Sequence, residues 1–85
     1  MKAKQIFEMD LKTNEKLFLL YLVNKGCHLK PKKIDTEELE KSLDMKSPTL
    51  WRVKTALKEQ GLIRVTRANA NAIQEYEVLN PSDAK

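Results

Sequence analysis

The chain has 85 residues, 41% of them hydrophobic, and its formal charge at pH 7 is +4. This length supports one compact domain and excludes a second hydrophobic core. The longest apolar run, residues 17–23, is far shorter than the roughly 20 residues that cross a bilayer, so no membrane partner is expected.

Cysteine usage and the N-terminal segment predict a cytoplasmic protein. Cys27 is the single cysteine, which excludes an internal disulfide and favours a reducing compartment. The opening segment "MKAKQIFEMD" mixes charged with apolar residues and lacks the uninterrupted apolar core of a signal peptide. We therefore expect a cytoplasmic location.

The charge is unevenly distributed along the chain. Residues 1–33 carry a net charge of +5, residues 35–44 carry −4, residues 46–67 carry +5, and the segment from residue 68 carries −2. A polyanion responds to the local field of a protein surface. Two basic segments separated by an acidic one therefore favour a polyanionic partner more than the total charge does.

A first helix is predicted from Thr13, as its N-cap, to the Lys25-Gly26 pair that ends it. Its run "LFLLYLV" is apolar almost all round, so we expect it to be buried on most sides. Before this helix, apolar residues roughly alternate with polar ones, which predicts a short strand or an extended arm within residues 1–11. These apolar residues are Ile6, Phe7, Met9 and Leu11.

Two more helices are predicted after the connector "GCHLKPKK". In the second helix, which ends near Leu43, Asp35 and Glu38 have the spacing of a capping box. The third helix is predicted to begin with Ser47 as its N-cap and Pro48 at its first position. Its buried stripe and its terminating glycine are Leu50, Val53, Leu57 and Gly61.

Two strands are predicted after the third helix. The segments "LIRVTR" and "IQEYEVL" alternate between apolar and polar residues, and "ANANA" between them supplies Asn69 and Asn71, which tolerate turn conformations. The segment of the second strand also contains helix-forming residues, so a helix competes with the strand in this prediction.

The segment "TEELEKSLDMKSPTLWRVKTALKEQGLIRV" resembles the winged helix-turn-helix family, particularly its bacterial and phage members, and the resemblance extends over about residues 11–79. The matching positions are Thr49, Leu50, Arg52, Leu57, Gly61, Leu62 and Ile63. Asp44 stands where the turn commonly has Gly, and "ANANA" is poorer in Gly and basic residues than a usual wing tip. The resemblance implies an α+β, mostly α fold with three helices and a C-terminal β-hairpin wing, occupying residues 12–79 before a polar tail at 80–85.

The resemblance also implies that the third helix contacts DNA. With Leu50 inward on a helical wheel, Arg52 and Thr55 lie opposite the buried stripe, Thr49 lies on one flank, and Trp51 lies on the other. In helix-turn-helix proteins the N-terminal half of this helix enters the major groove, where an arginine binds guanine or a phosphate. The candidate DNA-binding residues are Lys46, Ser47, Thr49, Trp51, Arg52, Thr55, Lys58, Arg64, Arg67 and Asn69.

Each candidate also has an ordinary structural explanation. The alternative for Arg52 is a solvated surface arginine, although the motif favours contact with DNA. Lys46, Lys54 and Lys58 are either phosphate contacts or solvated charges, and for Ser47 a cap is the favoured interpretation. Trp51 has two interpretations: contact with a sugar-phosphate strand through its indole N–H, or closure of the core against the second helix. Lys30, Lys32 and Lys33 either widen the basic surface or belong to an ordinary lysine-rich connector.

No cofactor, metal or small-molecule substrate is expected, and the protein is not expected to be an enzyme. Cys27 and His28 are adjacent and chelate one ion poorly, and no other Cys or His completes a zinc site. With one His and no glycine-rich phosphate loop, the sequence lacks the usual residues of nucleophilic or phosphoryl-transfer catalysis.

The sequence therefore predicts sequence-specific binding of double-stranded DNA by a small bacterial or phage transcriptional regulator. Two alternatives keep the fold: an accessory factor in plasmid or phage replication, and a winged helix used only for protein contacts. Because one small domain makes few base contacts, a homodimer on a two-fold site is expected. Its surface would come from the apolar residues of segment 6–11, unless these cover the core.

Overall fold

Three helices and a three-stranded antiparallel sheet form the part of the chain that the computed structural model describes, which is residue 6 and residues 8–79. In chain order the elements are α1 (Thr13–Asn24), β1 (Lys32–Lys33), α2 (Thr36–Leu43), α3 (Ser47–Glu59), β2 (Ile63–Thr66) and β3 (Glu75–Val78). The predicted α+β class is confirmed. Within the described residues, no helix has the length and apolar character needed to cross a membrane.

Helix α1 buries one face and leaves the other partly in water. Phe18, Leu19 and Leu22 are fully buried, whereas the side chain of Leu17 is 43% exposed. Burial on most sides was therefore a wrong expectation, because a domain of this size has too few elements to cover a helix all round. The predicted cap is also wrong by one residue: Lys12 is the N-cap, and its N–H donates to the Glu15 carboxylate at 3.3 Å.

The segment before α1 belongs to the core. Ile6 and Glu8 have helical backbone, so the predicted strand is wrong at these residues. Ile6 is fully buried, and Met9 and Leu11 pack against the same core. Phe7 lies outside the described residues. Of the two roles considered for these apolar side chains, covering the core is the one supported by their burial, and a dimer surface built on Ile6 is wrong.

Helix α2 begins at the predicted cap but not with the predicted capping box. Asp35 is the N-cap, and its carboxylate accepts a hydrogen bond from the Glu37 N–H at 3.0 Å. Glu38 instead accepts a hydrogen bond from the Tyr21 hydroxyl and forms an ion pair with Lys25 at 2.7 Å. Glu38 therefore joins α2 to the C-terminal turn of α1.

The turn between α2 and α3 uses a left-handed residue. Asp44 is the C-cap of α2 with φ 53° and ψ 46°, and its N–H donates to the Glu40 carbonyl. Among residues with a side chain, Asp and Asn enter this region most readily. Asp44 therefore supplies the left-handed residue that ends α2.

Helix α3 packs its predicted stripe into the core. Leu50, Val53 and Leu57 are all buried, and the helix packs against α1, α2 and β2. Ser47 is the first helical residue and Lys46 is the N-cap, so the prediction of Ser47 as the cap is wrong. The Ser47 hydroxyl donates to the Glu40 carboxylate at 2.8 Å, which makes it a link between α3 and α2.

Strands β2 and β3 form the predicted antiparallel pair, with Val65 opposite Tyr76. A third strand, β1, pairs with the other edge of β3, where Lys32 lies opposite Tyr76. The sequence did not predict β1, because two lysines after a proline show neither alternation nor strand-favouring side chains. The connector therefore forms an edge of the sheet.

We expect Gly61→Ala to destabilise the protein by about 1 kcal/mol, because it places a side chain in the left-handed region. Gly61 has φ +73°, and an added Cβ would meet no atom within 4 Å, so the cost is one of backbone conformation alone. Urea unfolding followed by far-ultraviolet circular dichroism measures it. Gly61→Asn is the matched control and should cost less, because Asn tolerates this conformation. Equal losses for the two variants would contradict the explanation.

Candidate functional site

The outward side of α3 lies between two surface grooves. The first, the α1–α3 groove, runs along the N-terminus of α1 and has a volume of about 440 Å³. The second, the α3–loop groove, lies between α3 and the β2–β3 loop and has a volume of about 530 Å³. Four of the predicted contact residues of α3 line these grooves, two in each, whereas Thr55 and Lys58 line neither.

Thr49 and Arg52 line the α1–α3 groove, opposite residues 12–15. Arg52 is exposed and forms no ion pair with any described residue. The one carboxylate in this groove belongs to Glu15, which is buried and accepts the Lys12 N–H. The guanidinium of Arg52 is thus available to an outside acceptor, as the sequence predicted for an exposed position.

Ser47, Trp51 and Lys54 form one wall of the α3–loop groove. Their spacing of four and three residues places them on one row of the helix. The Trp51 side chain is 67% exposed, so the interpretation of Trp51 as a core residue is wrong. Across the groove lie Arg67 and the loop residues 71–74.

Lys54 joins α3 to the β2–β3 hairpin. Its ammonium donates to the side-chain oxygen of Gln74 and to the Tyr76 hydroxyl, both at 3.0 Å, and that hydroxyl in turn donates to Gln74 at 3.0 Å. The ammonium is 5.5 Å from the Tyr76 ring centroid. With the hydroxyl only 3.0 Å away, it therefore lies near the ring plane and hydrogen-bonds instead of sitting over the aromatic face.

This cluster changes the titration of both ionisable partners. Burial lowers the pKa of Lys54, and the charges of Lys58 and Arg67 lower it further. Burial raises the pKa of Tyr76 to about 12. Lys54, which the sequence grouped with the phosphate-binding lysines, is therefore a half-buried cation that positions the hairpin.

The remaining candidates on or beside α3 differ in their availability. Lys46 and Lys58 are exposed, and Thr55 is half-buried. Ser47 donates its hydroxyl to Glu40, which brings a carboxylate to the first turn of α3. A negative phosphate at that turn would meet this carboxylate, so the helix N-terminus is a poor anion site.

The candidates on the hairpin do not line the groove that contains Arg52. Arg64 is paired with Glu77 across the two strands, at 3.2 Å. Arg67, just after β2, is exposed and unpaired among the described residues. Asn69 accepts the Asn71 N–H at 2.9 Å and so shapes the loop, in agreement with the turn predicted for "ANANA".

No family model, curated protein or solved structure matches this chain. The site must therefore be interpreted from its own side chains. Three of them went unnoticed in the sequence: Glu40, Ile73 and Gln74. Gln74 reaches Lys54 from 20 residues away in the chain, a contact for which no local pattern exists.

Cys27 is not a surface thiol. The side chain is fully buried in the core, and this burial raises the pKa of the thiol. Because the thiolate is the reactive form, a buried thiol with a raised pKa reacts slowly. Cys27 therefore serves the packing of the core in the folded protein.

We expect Tyr76→Phe to cost about 1–2 kcal/mol at pH 7, because it removes the hydroxyl that accepts from Lys54 and donates to Gln74, and so leaves each of these half-buried groups one hydrogen bond short. The difference from the parent protein should shrink as the pH rises from 10 to about 12. In that window the unfolded parent ionises its tyrosine while the folded parent does not, so the parent loses stability. The variant has no phenol at this position. Urea unfolding at several pH values tests this, and parallel pH profiles for the two proteins would contradict it.

Proposed function

We propose that the protein binds duplex DNA through α3, as a winged helix-turn-helix transcriptional regulator of the bacterial or phage type. The observation that carries this proposal is the position of Arg52 in the middle of the outward side of α3, exposed and without an ion pair among the described residues. An unpaired arginine with hydrogen-bonding neighbours suits base edges and phosphates.

The order of the elements supports the proposed fold family. Helix α2, the turn at Asp44 and helix α3 correspond to the helix-turn-helix of the proposal, and α2 packs directly on α3. The β2–β3 hairpin follows α3 after Gly61 and corresponds to the wing. The third strand, β1, extends the sheet on the far side of β3 and leaves α3 uncovered.

The distribution of charge supports a polyanionic partner on the α3 side. Residues 46–67 contain six basic residues and one acidic residue, Glu59. The acidic residues of α2 are largely engaged within the protein: Asp35 caps the helix, Glu38 pairs with Lys25, and Glu40 accepts from Ser47. Lys46 and Lys58 would hold phosphates on either side of Arg52.

In the proposed complex, Thr49 and Arg52 contact bases from the α1–α3 groove, and Thr55 lies one turn further along. Asn69 lies on the hairpin and would meet the DNA backbone beyond the helix, whereas Arg67 lines the α3–loop groove. One helix reads only a few base pairs, so we propose that two copies bind a two-fold site. Ser47 leaves the set of proposed contacts, because its hydroxyl is held by Glu40.

We expect Arg52→Ala to weaken binding to a preferred duplex by about 1–3 kcal/mol, the size of one good arginine–guanine contact. The duplex is selected from a random pool by retention on the purified protein. Lys58→Ala should reduce affinity for all duplexes alike and make the salt dependence shallower by about 0.9 in slope, the effect of losing one phosphate contact. Fluorescence anisotropy of labelled duplex over a range of salt concentrations measures both effects.

Lys41→Ala is the matched control. Lys41 is exposed in the last turn of α2 and carries the same charge as Lys58, but it lies on the acidic side of the domain. Its removal should leave the affinity and the salt slope nearly unchanged. Equal effects of Lys41→Ala and Lys58→Ala, together with no effect of Arg52→Ala, would show that α3 is not the binding surface. The selected sequences also distinguish a promoter from an iterated origin array, and thus regulation from replication.

A further inference from the structure

The α3–loop groove has features that duplex binding through Arg52 does not use. Four large hydrophobic side chains are prominently exposed in the described residues, and two of them, Trp51 and Ile73, line this groove. Ile73 is 49% exposed. The groove volume of about 530 Å³ falls within the range of about 300–1,000 Å³ typical of sites that enclose small molecules.

Unpaired cations lie beside this apolar surface. An ammonium has three N–H donors, and Lys54 uses two of them on Gln74 and Tyr76. Its third donor has no acceptor among the described residues, and Arg67 in the same groove has no ion pair there. Because Lys54 is half-buried without a neutralising carboxylate, an anion in the groove would relieve an unfavourable charge.

A flat apolar side chain next to two cations suits a nucleotide, which combines a π-face with a phosphate. Every base can stack on an aromatic ring, and the phosphate binds the nearby cations. Asp35 also lines the groove, and its carboxylate, which already accepts the Glu37 N–H, has acceptor capacity left for an N–H donor on a base edge. In an intact duplex the bases are stacked and paired, so their faces are not available to Trp51.

We propose that the α3–loop groove binds an unpaired nucleotide of a DNA strand, with the base stacked on Trp51 against Ile73 and its phosphate held by Lys54 and Arg67. The inference rests on the proposed function only in taking DNA as the partner. It assigns a second site to α3, on the flank opposite Arg52. This site would hold a strand that has separated from its complement.

Trp51 reports on this site directly, because it is the only tryptophan of the chain. An oligothymidylate of about ten residues should quench its emission. A strand of the same length with abasic sugars should bind more weakly and quench little. Thymidine monophosphate alone should bind far more weakly than the strand, because it lacks the neighbouring phosphates.

Variants of Trp51 test the stacking. Trp51→Leu should weaken binding of the labelled oligothymidylate by about tenfold or more, whereas Trp51→Phe should retain most of the affinity. Fluorescence anisotropy measures both variants, and circular dichroism confirms their folding, which a side chain this exposed should not disturb. Lys41→Ala, on the acidic side of the domain, is the control and should leave the quenching unchanged.

Several outcomes would overturn the inference. Equal binding of the abasic strand, or unchanged binding by Trp51→Leu, would show that only phosphates are recognised. A monophosphate that binds as tightly as the strand would make this a free-nucleotide site. A blunt duplex measured in parallel keeps the two proposals apart: duplex binding without any response to the strand overturns the groove inference alone. Failure to bind the duplex overturns the proposed function, whatever the strand does.

Discussion

The burial of one stripe of α3 determines which of its other side chains are exposed and in which direction they point. Leu50, Val53 and Leu57 are fixed in the core, and successive residues of a helix are about 100° apart. Trp51 and Arg52, although adjacent in sequence, therefore point to different sides of the outward surface and line different grooves. Rotation of α3 about its axis would expose part of the buried stripe to water. The positions of the two grooves relative to each other are therefore fixed.

The second constraint is the polar cluster that joins α3 to the hairpin. Lys54, Gln74 and Tyr76 hydrogen-bond one another, and Tyr76 also packs its ring against Phe18 of α1. A half-buried ammonium without a carboxylate costs desolvation free energy, which these hydrogen bonds only partly offset. The cluster holds residues 71–74 beside α3, and the α3–loop groove exists because of that placement.

The sequence correctly predicted the features that depend on residues close together in the chain. The stripe of α3, the cap at Asp35 and the glycine after α3 follow from helix periodicity and backbone geometry, and all are present. The predicted starts of α1 and α3 were one residue late, since Lys12 and Lys46 take the cap positions without any capping side chain of their own. Strand β1 and the Lys54–Gln74 contact depend on segments far apart in sequence, for which a single chain gives no signal. Of the candidate site, the exposure of Arg52 was predictable, but the two grooves were not.

The two flanks of α3 would bind DNA by different physics. In the proposed complex, contacts of Arg52, Lys46 and Lys58 with a duplex would replace condensed counterions, so their contribution would fall steeply with salt. The proposed stacking of a base on Trp51 would release few ions, so it would persist where the phosphate contacts weaken. A site that holds an unpaired base next to a duplex-binding surface favours DNA in which the two forms meet, such as a frayed end or a partly opened helix. Because Trp51 and Arg52 both belong to the first two turns of α3, the helix itself would set the distance between the proposed duplex and the proposed unpaired base.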